Sequence, residues 1–414
     1  MTPELARMAT ADDAVRRFEA AAVHMNSLRV VTPDDLPGHR ERFIRDWERG
    51  RPRDPVFTYQ EFPDHGVHAA TELLADIKGL TDPWHALVRE EAHHTVEIFR
   101  ACADHDGGRI TELTLRANGH PDAELLAEAH TTLAAGSGGG DTNAAGPGVA
   151  GSCVAGPGVT GPAVAERDVV VGDITGLNAW TAASILTEVL ADHGLYDWTV
   201  LVKADMAARM SVLAARRQIN LRADLLLSAE ELVRLTVHEI GTHVFRSVNT
   251  RRGPQILHLR LPGHTATEEG LAVWHERTLA GASTTDPRFA LRVIAVHRAI
   301  TGSFTDVVAD LLPYTDLHTA FEVAVRVKRG LIDTAAPGGY CKDHAYLAGY
   351  HTVRDHLELS PDDYPTLMSA KWPLRWVQHL TSAGLPKALP GRLLLPDTDL
   401  TERVRSLAGA SAAK

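Results

Sequence analysis

Residues 227–249, LSAEELVRLTVHEIGTHVFRSVN, carry the strongest structural signal in the chain. The apolar residues of this segment recur at helical spacing, and Ser228 with Glu231 forms the capping-box pattern that starts a helix. Within the segment, HEIGTH at 238–243 has two histidines five residues apart. In a regular α-helix, residues four apart lie about 40° apart around the axis, whereas residues five apart diverge by roughly 140°. The two histidines can therefore share a ligand only if the helix is distorted.

A π-bulge, which adds one residue to a helical turn, would return His238 and His243 to one face. Gly241 is the residue of the motif best suited to such a distortion. A mid-helix glycine costs up to about 1 kcal/mol relative to alanine, so its presence indicates a local reason. Two histidines on one face are typical ligands of Zn²⁺, and Glu239 is placed to act as the general base on a metal-activated water. The hexapeptide predicts part of a zinc hydrolase site.

We expect the third ligand in HTATEEGLAVWHE, residues 264–276. Thr265 and Glu268 form a second capping-box pattern, which gives Glu268 a structural role. Glu269 has no such role, and the adjacent Gly270 removes side-chain bulk beside it. We therefore favour Glu269 as the ligand. The alternatives that stay open are His264, His275 and Glu276, of which Glu276 shares a helix face with Glu269.

A chain with 22 histidines contains some histidine pairs by chance. A histidine-rich surface helix is therefore the competing interpretation of HEIGTH. A second cluster, REEAHHTVEIF at 89–99, places Glu90 and His93 at the spacing of half a di-iron motif. Such a site needs a second copy of the motif, and the sequence has none. We therefore expect a solvated helix face at 89–99.

The composition is that of a soluble globular protein, with 44% hydrophobic and 23% charged residues. The apolar runs are shorter than the 18 or so residues of a membrane span, and the N-terminal segment lacks the apolar core of a signal peptide, so we expect a cytoplasmic protein. Three cysteines without CxxC spacing argue against a disulfide framework. A net charge of −11 argues against nucleic-acid and anionic-membrane partners.

The chain divides by composition into three parts. We expect a helical N-terminal region at 1–133, a flexible Gly/Ala/Pro-rich insertion at 134–167 and a zinc catalytic domain at 168–414, with the two ordered parts packed as one unit. Alternating residues predict strands at 198–205 and 217–224. The fold class expected is α+β, mainly helical, with a small sheet beside the zinc-motif helix.

The segments LVRLTVHEIGTHVFRSVN, 232–249, and TEEGLA, 267–272, together resemble a metallopeptidase family. That family includes the microtubule-associated tyrosine carboxypeptidase and bacterial proteins labelled as flavohaemoglobin-expression-modulating proteins with a Gln-Glu-Gly-Leu-Ala motif. The likeness continues in 205–224 and 325–353, and it covers roughly 180–355.

The resemblance implies that His238, His243 and Glu269 bind Zn²⁺ and that Glu239 is the general base. It also implies removal of a C-terminal residue from a peptide or protein, which requires a cation for the terminal carboxylate. The block at 325–353 offers cations and a hydroxyl for this purpose. The candidates are Arg329, Lys342 and Lys328 for substrate binding and Tyr346 for catalysis, with Arg209 as a weaker candidate in the upstream block.

Two features depart from the family pattern, the exit segment RSVNTRRGPQ at 246–255 and the Gly-rich insertion, so tubulin itself is not implied as the substrate. The Ala- and Arg-rich composition is typical of a high-GC bacterial chain. We expect a zinc carboxypeptidase acting in a bacterial peptide or natural-product pathway. The alternatives are a zinc endopeptidase, a non-peptide amide hydrolase and a regulatory binding protein without turnover. The presence of Glu239 favours an enzyme.

Overall fold

The computed structural model describes residues 2–137, 176–204, 206, 209–281 and 286–412. The predicted α+β class is confirmed, since helices dominate and two small sheets accompany them. Residues 2–137 form eight α-helices, whose bounds are α1 Pro3–Met8, α2 Asp12–Ala22, α3 Ser27–Val30, α4 Leu36–Glu48, α5 His65–Asp76, α6 Pro83–Ala103, α7 Gly107–Asn118 and α8 Ala123–Ser137. The predicted insertion starts inside the last turn of α8, and its remainder, 138–167, lies outside the described residues.

A three-stranded sheet lies beside the histidine-bearing helix. Its central strand β4, Gln218–Arg222, is parallel to β2, Thr199–Lys203, and antiparallel to β3, Met210–Leu213. The predicted strands at 198–205 and 217–224 correspond to β2 and β4, whereas β3 was not predicted. A two-stranded antiparallel sheet completes the β structure, with β1 at Leu177–Asn178 and β5 at Leu226–Leu227.

The remaining helices carry and surround the HEIGTH segment. Their bounds are α9 Ala179–Asp192, α10 Ala229–Thr236, a π-helix at Val237–Val244, α11 Phe245–Thr250, α12 His264–Thr278, α13 Pro287–Ala299, α14 Phe304–Leu311, α15 Leu317–Lys328, α16 Ala345–Leu359, α17 Tyr364–Leu367, α18 Val377–Ser382 and α19 Thr398–Ala412. No helix in the described ranges is long and apolar enough to cross a membrane.

The two predicted capping boxes have different outcomes. The first is confirmed, because Ser228 Oγ accepts from the Glu231 amide at 3.2 Å and Glu231 Oε2 accepts from the Ser228 amide at 2.9 Å. The second is wrong. The helix α12 begins at His264 after Gly263, whose φ of 87° ends the preceding turn, and none of the side chains that the structure describes caps it. Glu268 is thereby free to take part in the site described below.

Buried residues form three hydrophobic clusters, and none of them is confined to one end of the chain. The first joins α1–α3 and α5–α7 to residues 256–261 and 370–389. The second packs α9, the sheets and the π-helix against α16 and α19. The third joins α4 and α8 to α12–α16. The HEIGTH segment therefore lies inside the molecule, between packed layers.

The crossing of α12 and α16 brings two backbones into direct contact. A Cβ at Gly270 would overlap the backbone of Gly349, and a Cβ at Gly349 would overlap the carbonyl group of Ala266. Only glycine permits this approach. It brings the first turns of α16 close to Glu269 on α12.

Candidate active site

The π-helix aligns the two histidines of HEIGTH. The rings of His238 and His243 lie with centroids 5.1 Å apart. The Thr242 hydroxyl donates to the Val237 carbonyl, five residues back, at 3.1 Å. The predicted π-bulge is confirmed, because the i,i+5 spacing becomes the repeat of the local helix.

Gly241 has a different role from the one predicted. Its φ angle is not positive, so the π-helix does not require the conformational freedom of a glycine at this position. A Cβ at this position would lie 2.9 Å from Pro396 Cβ. The glycine instead makes room for the segment that precedes α19.

Glu269 faces both histidines. Its Oε2 atom lies 3.5 Å from His238 Nε2 and 3.6 Å from His243 Nε2. Among the residues that the structure describes, these three form the one group able to hold a metal ion, with ligand atoms within 4.8 Å of one another. Glu269 Oε2 is buried and has no hydrogen-bond partner among the described residues. An unpaired carboxylate oxygen opposite two imidazole nitrogens is the donor set that Zn²⁺ prefers.

Two further carboxylates orient the histidine rings. His238 Nδ1 lies 2.7 Å from Glu276 Oε1, and His243 Nδ1 lies 3.0 Å from Glu268 Oε1. Each ring can donate from Nδ1 to its carboxylate and present the Nε2 lone pair to the centre. Glu276, an alternative ligand in the sequence analysis, thus lies behind His238.

Glu268 is itself held by two cations from distant parts of the chain. Lys371 Nζ lies 3.3 Å from Glu268 Oε1, and Arg246 Nη1 lies 3.5 Å from Oε2. These charges, together with His243, hold the pKa of Glu268 well below its usual value despite its burial. Glu268 therefore stays ionised and accepts from His243.

The other two alternative ligands have different partners. His264 Nδ1 lies 3.1 Å from the Leu261 carbonyl oxygen. His275 is fully buried, with Nδ1 2.7 Å from Thr242 Oγ1 and Nε2 2.8 Å from the Tyr364 hydroxyl. Burial lowers the pKa of His275 to about 3, so the ring is neutral. Both of its nitrogens are occupied by hydrogen bonds.

The acidic side chains of the centre favour positive charge at the two histidines. Burial opposes protonation of His243, but Glu268 and Glu269 raise its pKa to about 9. Burial likewise opposes the charged form of His238, yet Glu269 and Glu276 raise its pKa well above the usual value. Burial raises the pKa of Glu239, and the nearby Glu269 charge acts in the same direction. Glu239 is thus a stronger base than an exposed carboxylate.

A second group of charged residues adjoins the centre, and we call it the arginine–lysine cluster: Arg292, Arg326, Arg329 and Lys342. It surrounds Asp343, which is fully buried. Arg326 Nε lies 2.6 Å from Asp343 Oδ2, and Lys342 Nζ lies 3.2 Å from Oδ1. Two of the predicted substrate-binding residues, Arg329 and Lys342, belong to this cluster. The other two, Arg292 and Arg326, were not predicted, although Arg326 lies in the block 325–353.

Tyr346 links the cluster to the centre. The Arg292 guanidinium lies 4.5 Å from the centroid of the Tyr346 ring, which stacks on Phe289 at 5.1 Å. Burial and the Glu269 charge raise the pKa of Tyr346, so its hydroxyl keeps its proton. The catalytic role expected for Tyr346 stays a prediction.

Lys328 and Arg209 lie outside the cluster. Lys328 is fully buried, and its ammonium donates to the carbonyl oxygens of Gly302, Ala336 and Gly338 at 2.7, 2.6 and 3.3 Å. All three ammonium hydrogens are used, so Lys328 stabilises a loop and has no donor left for a substrate. Arg209 forms an ion pair with Glu231, with Nη2 2.9 Å from Oε1.

The second histidine cluster of the sequence agrees with its expected role. Glu90 and His93 are both exposed on α6. Glu90 is 3.8 Å from Arg375, an exposed ion pair. The expected solvated helix face is therefore present at this position.

Residues 164–387 match the model of a family described as microtubule-associated tyrosine carboxypeptidase. The chain is 37% identical over 155 residues to human microtubule-associated tyrosine carboxypeptidase 1, a match that covers 36% of this chain and 32% of the relative. The mouse protein of the same name is 38% identical over 125 residues, covering 29% of this chain and 27% of the relative. The matched region thus spans about a third or less of the length of these relatives. The family match includes the histidine centre and the arginine–lysine cluster.

Proposed function

The chain belongs to the microtubule-associated tyrosine carboxypeptidase family, and from that premise we propose that it is a zinc-dependent carboxypeptidase. Its substrate is the C-terminus of a peptide or protein, from which it removes one residue. The observation that carries the zinc dependence is the unpaired Glu269 Oε2, buried opposite His238 Nε2 and His243 Nε2. Glu268 and Glu276 support this assignment by fixing the histidine rings.

His238, His243 and Glu269 would hold the Zn²⁺ ion. When bound, the ion supplies a Lewis acid that polarises the scissile carbonyl and lowers the pKa of a water molecule. Glu239 is adjacent to the first ligand, and its pKa is raised. It accepts the proton of the attacking water and passes it to the leaving amine. The protonated Tyr346 hydroxyl donates a hydrogen bond to the developing oxyanion.

The arginine–lysine cluster supports a carboxypeptidase over an endopeptidase. A free C-terminal carboxylate needs a charged donor close to the scissile bond, and an internal peptide segment does not. Lys342 and Arg326 interact electrostatically with Glu269, which supports them as the groups that would bind the terminal carboxylate. The same cations have no evident use in a non-peptide amide hydrolase or a regulatory binding protein. We retain a bacterial, cytoplasmic peptide pathway as the proposed setting.

The test combines metal analysis with a peptide panel. We expect close to one zinc ion per chain by mass spectrometry of the metal. We also expect removal of one residue from peptides with a free C-terminus, but not from the same peptides with an amidated C-terminus. Glu239→Gln should bind zinc and release nothing, whereas the exposed control Glu72→Gln should behave like the wild type. A protein that stays metal-free in added zinc, or that cleaves amidated peptides equally well, would overturn the proposal.

A further inference from the structure

Glu268, which lies behind His243, has more partners than Glu276, which lies behind His238. Among the described residues, Glu268 is the only one of these two carboxylates that also pairs with a lysine or an arginine. Its Oε1 atom lies 3.0 Å from His243 Nδ1 and 3.3 Å from Lys371 Nζ, so one oxygen can accept from both groups. Two donors that converge on one oxygen restrict where it can lie relative to the imidazole ring.

Lys371 is a buried cation that stability alone does not explain. The residue is 6% exposed, and Glu268 is the only hydrogen-bond partner of its ammonium group among the described residues. A buried ion pair is weak evidence for stability, because apolar residues of similar volume often replace such a pair without loss. We therefore expect the lysine to serve the geometry of Glu268.

Arg246 does not replace Lys371 as a hydrogen-bond donor to Glu268. Its Nη1 atom lies 3.5 Å from Glu268 Oε2 and is buried without a hydrogen-bond partner among the described residues. The other guanidinium nitrogens donate to carbonyl oxygens, Nε to Leu367 at 2.9 Å and Nη2 to Ala370 at 2.6 Å. Arg246 thus holds the backbone next to Lys371, and the lysine makes the hydrogen bond to the carboxylate.

These contacts form a path that begins and ends at His243. Arg246 follows His243 by three residues along the chain, and its guanidinium donates to three carbonyl oxygens of the segment 367–372. The Lys371 amide, within that segment, donates to the Leu257 carbonyl at 3.2 Å. The ammonium group of the same residue then returns to the carboxylate behind His243. The backbone of Lys371 is therefore held by contacts other than its own ion pair.

We propose that Lys371 is a positioning residue of the metal centre. Its ammonium group holds Glu268 against His243 Nδ1 and thereby directs His243 Nε2 towards the metal. Lys371 hydrogen-bonds to none of the three ligands, so it acts through Glu268. This inference rests on the proposed zinc site.

Charge and geometry predict opposite effects of removing this lysine. A cation near the centre repels Zn²⁺, so the loss of its charge alone would raise the affinity for zinc. The loss of its hydrogen bond would free the Glu268 carboxylate to move away from His243, which lowers the affinity for zinc. The sign of the change therefore distinguishes a positioning residue from a residue that acts only by its charge.

The test compares Lys371→Met with the wild type by titrating zinc in competition with a chelating dye. Methionine is also unbranched but lacks the ammonium group, so the affinity for zinc should fall about tenfold. Lys371→Arg retains a charged donor and should recover part of the loss. Lys328→Met is the matched control and should bind zinc like the wild type, because Lys328 is also buried but donates to backbone carbonyl oxygens. If Lys371→Met does not fold, Lys371→Gln serves as the neutral variant.

A double-mutant cycle identifies the residue through which Lys371 acts. Lys371→Met combined with Glu268→Gln should bind zinc no more weakly than Glu268→Gln alone, since both changes disrupt one contact. The visible absorption of the Co²⁺-loaded protein reports the geometry of the ligands. It should change in Lys371→Met and stay unchanged in Lys328→Met, so a general loss of stability does not explain the result.

Three outcomes would contradict this inference at different levels. A zinc affinity of the neutral variant equal to or above that of the wild type would overturn it and leave the zinc site standing. Additive losses in the double variant would also overturn it, because Lys371 would then act independently of Glu268. A folded wild type that binds no zinc would overturn the proposed function itself, and the inference with it.

Discussion

Glu268 and Glu269 are neighbours with different tasks. Glu269 directs an unpaired carboxylate oxygen towards both His238 Nε2 and His243 Nε2. Glu268 accepts from the far side of His243 and is itself held by Lys371. In the proposed zinc site, one is a ligand and the other sets the orientation of a ligand.

The two glutamates should differ in their effect on zinc affinity. Glu269→Gln should cause the larger loss, because it replaces an anionic ligand with a neutral one. Glu268→Gln should weaken zinc binding by about 10- to 100-fold, the usual effect of losing a partner behind a metal-bound histidine. Competition titration with a chelating dye measures both, with the exposed Glu72→Gln as control. If Glu268→Gln kept full zinc affinity and lost only thermal stability, the residue would be a structural group.

The buried carboxyl of Glu91, outside the histidine centre, makes the free energy of unfolding depend on pH. It is 6% exposed, and only one of its oxygens is hydrogen-bonded, to Thr95 at 3.1 Å. Burial raises its pKa to about 8 from the usual 4.5. Between these values the folded chain keeps a proton that the unfolded chain has lost, so the free energy of unfolding falls as pH rises.

Replacing Glu91 with glutamine should remove this loss. The variant's stability relative to wild type should rise by at least about 1.4 kcal/mol between pH 5 and pH 8, the equivalent of one pKa unit. Urea unfolding at the two pH values measures the change. The exposed neighbour Glu90 provides the control, since Glu90→Gln should keep a constant difference from wild type. An equally constant difference for Glu91→Gln would mean that the Glu91 carboxyl ionises normally.

The residue scale also shows what sequence patterns cannot decide. The Thr265–Glu268 pattern predicted a cap, but Gly263 with its positive φ fixes the start of α12 two residues earlier than a Thr265 cap would allow. The partners of Glu268 are Arg246 and Lys371, which tertiary folding brings together. A short sequence pattern cannot reveal contacts between distant parts of the chain.

At the scale of the element, a chain of hydrogen bonds supports the π-helix. Thr242 Oγ1 donates to the Val237 carbonyl and must therefore accept from His275 Nδ1–H. His275 Nε2 is then the acceptor for the Tyr364 hydroxyl. This chain ties α12 and α17 to the helical turn that aligns His238 with His243.

Removing the Thr242 hydroxyl should disturb the metal centre without touching a ligand. Thr242→Val should lower zinc affinity about tenfold, within the range seen for groups that position ligands. Thr278→Val on α12 is the matched control, because its exposed hydroxyl donates to the Trp274 carbonyl at 2.8 Å in a regular helical turn. Equal zinc affinity for both variants, measured by competition titration, would show that the π-helix holds its geometry without this chain.

The elements themselves were largely predictable where the signal is local. The helix start at Ser228, the π-bulge and the strands β2 and β4 all follow from spacing and alternation. The four-residue strand β3 was missed, because its structure depends on pairing with β4. Gly241 was expected to ease the bulge locally, but what the structure shows at this position is close contact with Pro396, more than 150 residues away.

At the scale of the whole molecule, the catalytic part shares its core with the N-terminal helices. The family match begins at residue 164, yet the first hydrophobic cluster joins α1–α3 and α5–α7 to Ile256, Leu257 and Trp372. All three of these side chains are almost completely buried. The division of the chain into an N-terminal region, an insertion and a catalytic domain stays a prediction.

A fragment beginning at residue 164 should therefore fail to fold as an independent unit. Its exposed core residues should cause aggregation, seen by size-exclusion chromatography, and the near-ultraviolet circular dichroism of the full chain should be lost. The full chain purified in parallel is the control. A monomeric fragment that unfolds cooperatively and binds zinc would establish the N-terminal helices as a separable domain.

The most direct test of the central claim follows the fate of water. The zinc-loaded protein is incubated in H₂¹⁸O with a peptide that has a free C-terminus, and the products are weighed by mass spectrometry. We expect a peptide shorter by one residue with one ¹⁸O atom in its new terminal carboxyl, formed by the wild type and not by Glu239→Gln. Intact peptide with the zinc-loaded wild type, or cleavage at internal bonds alone, would contradict the assignment.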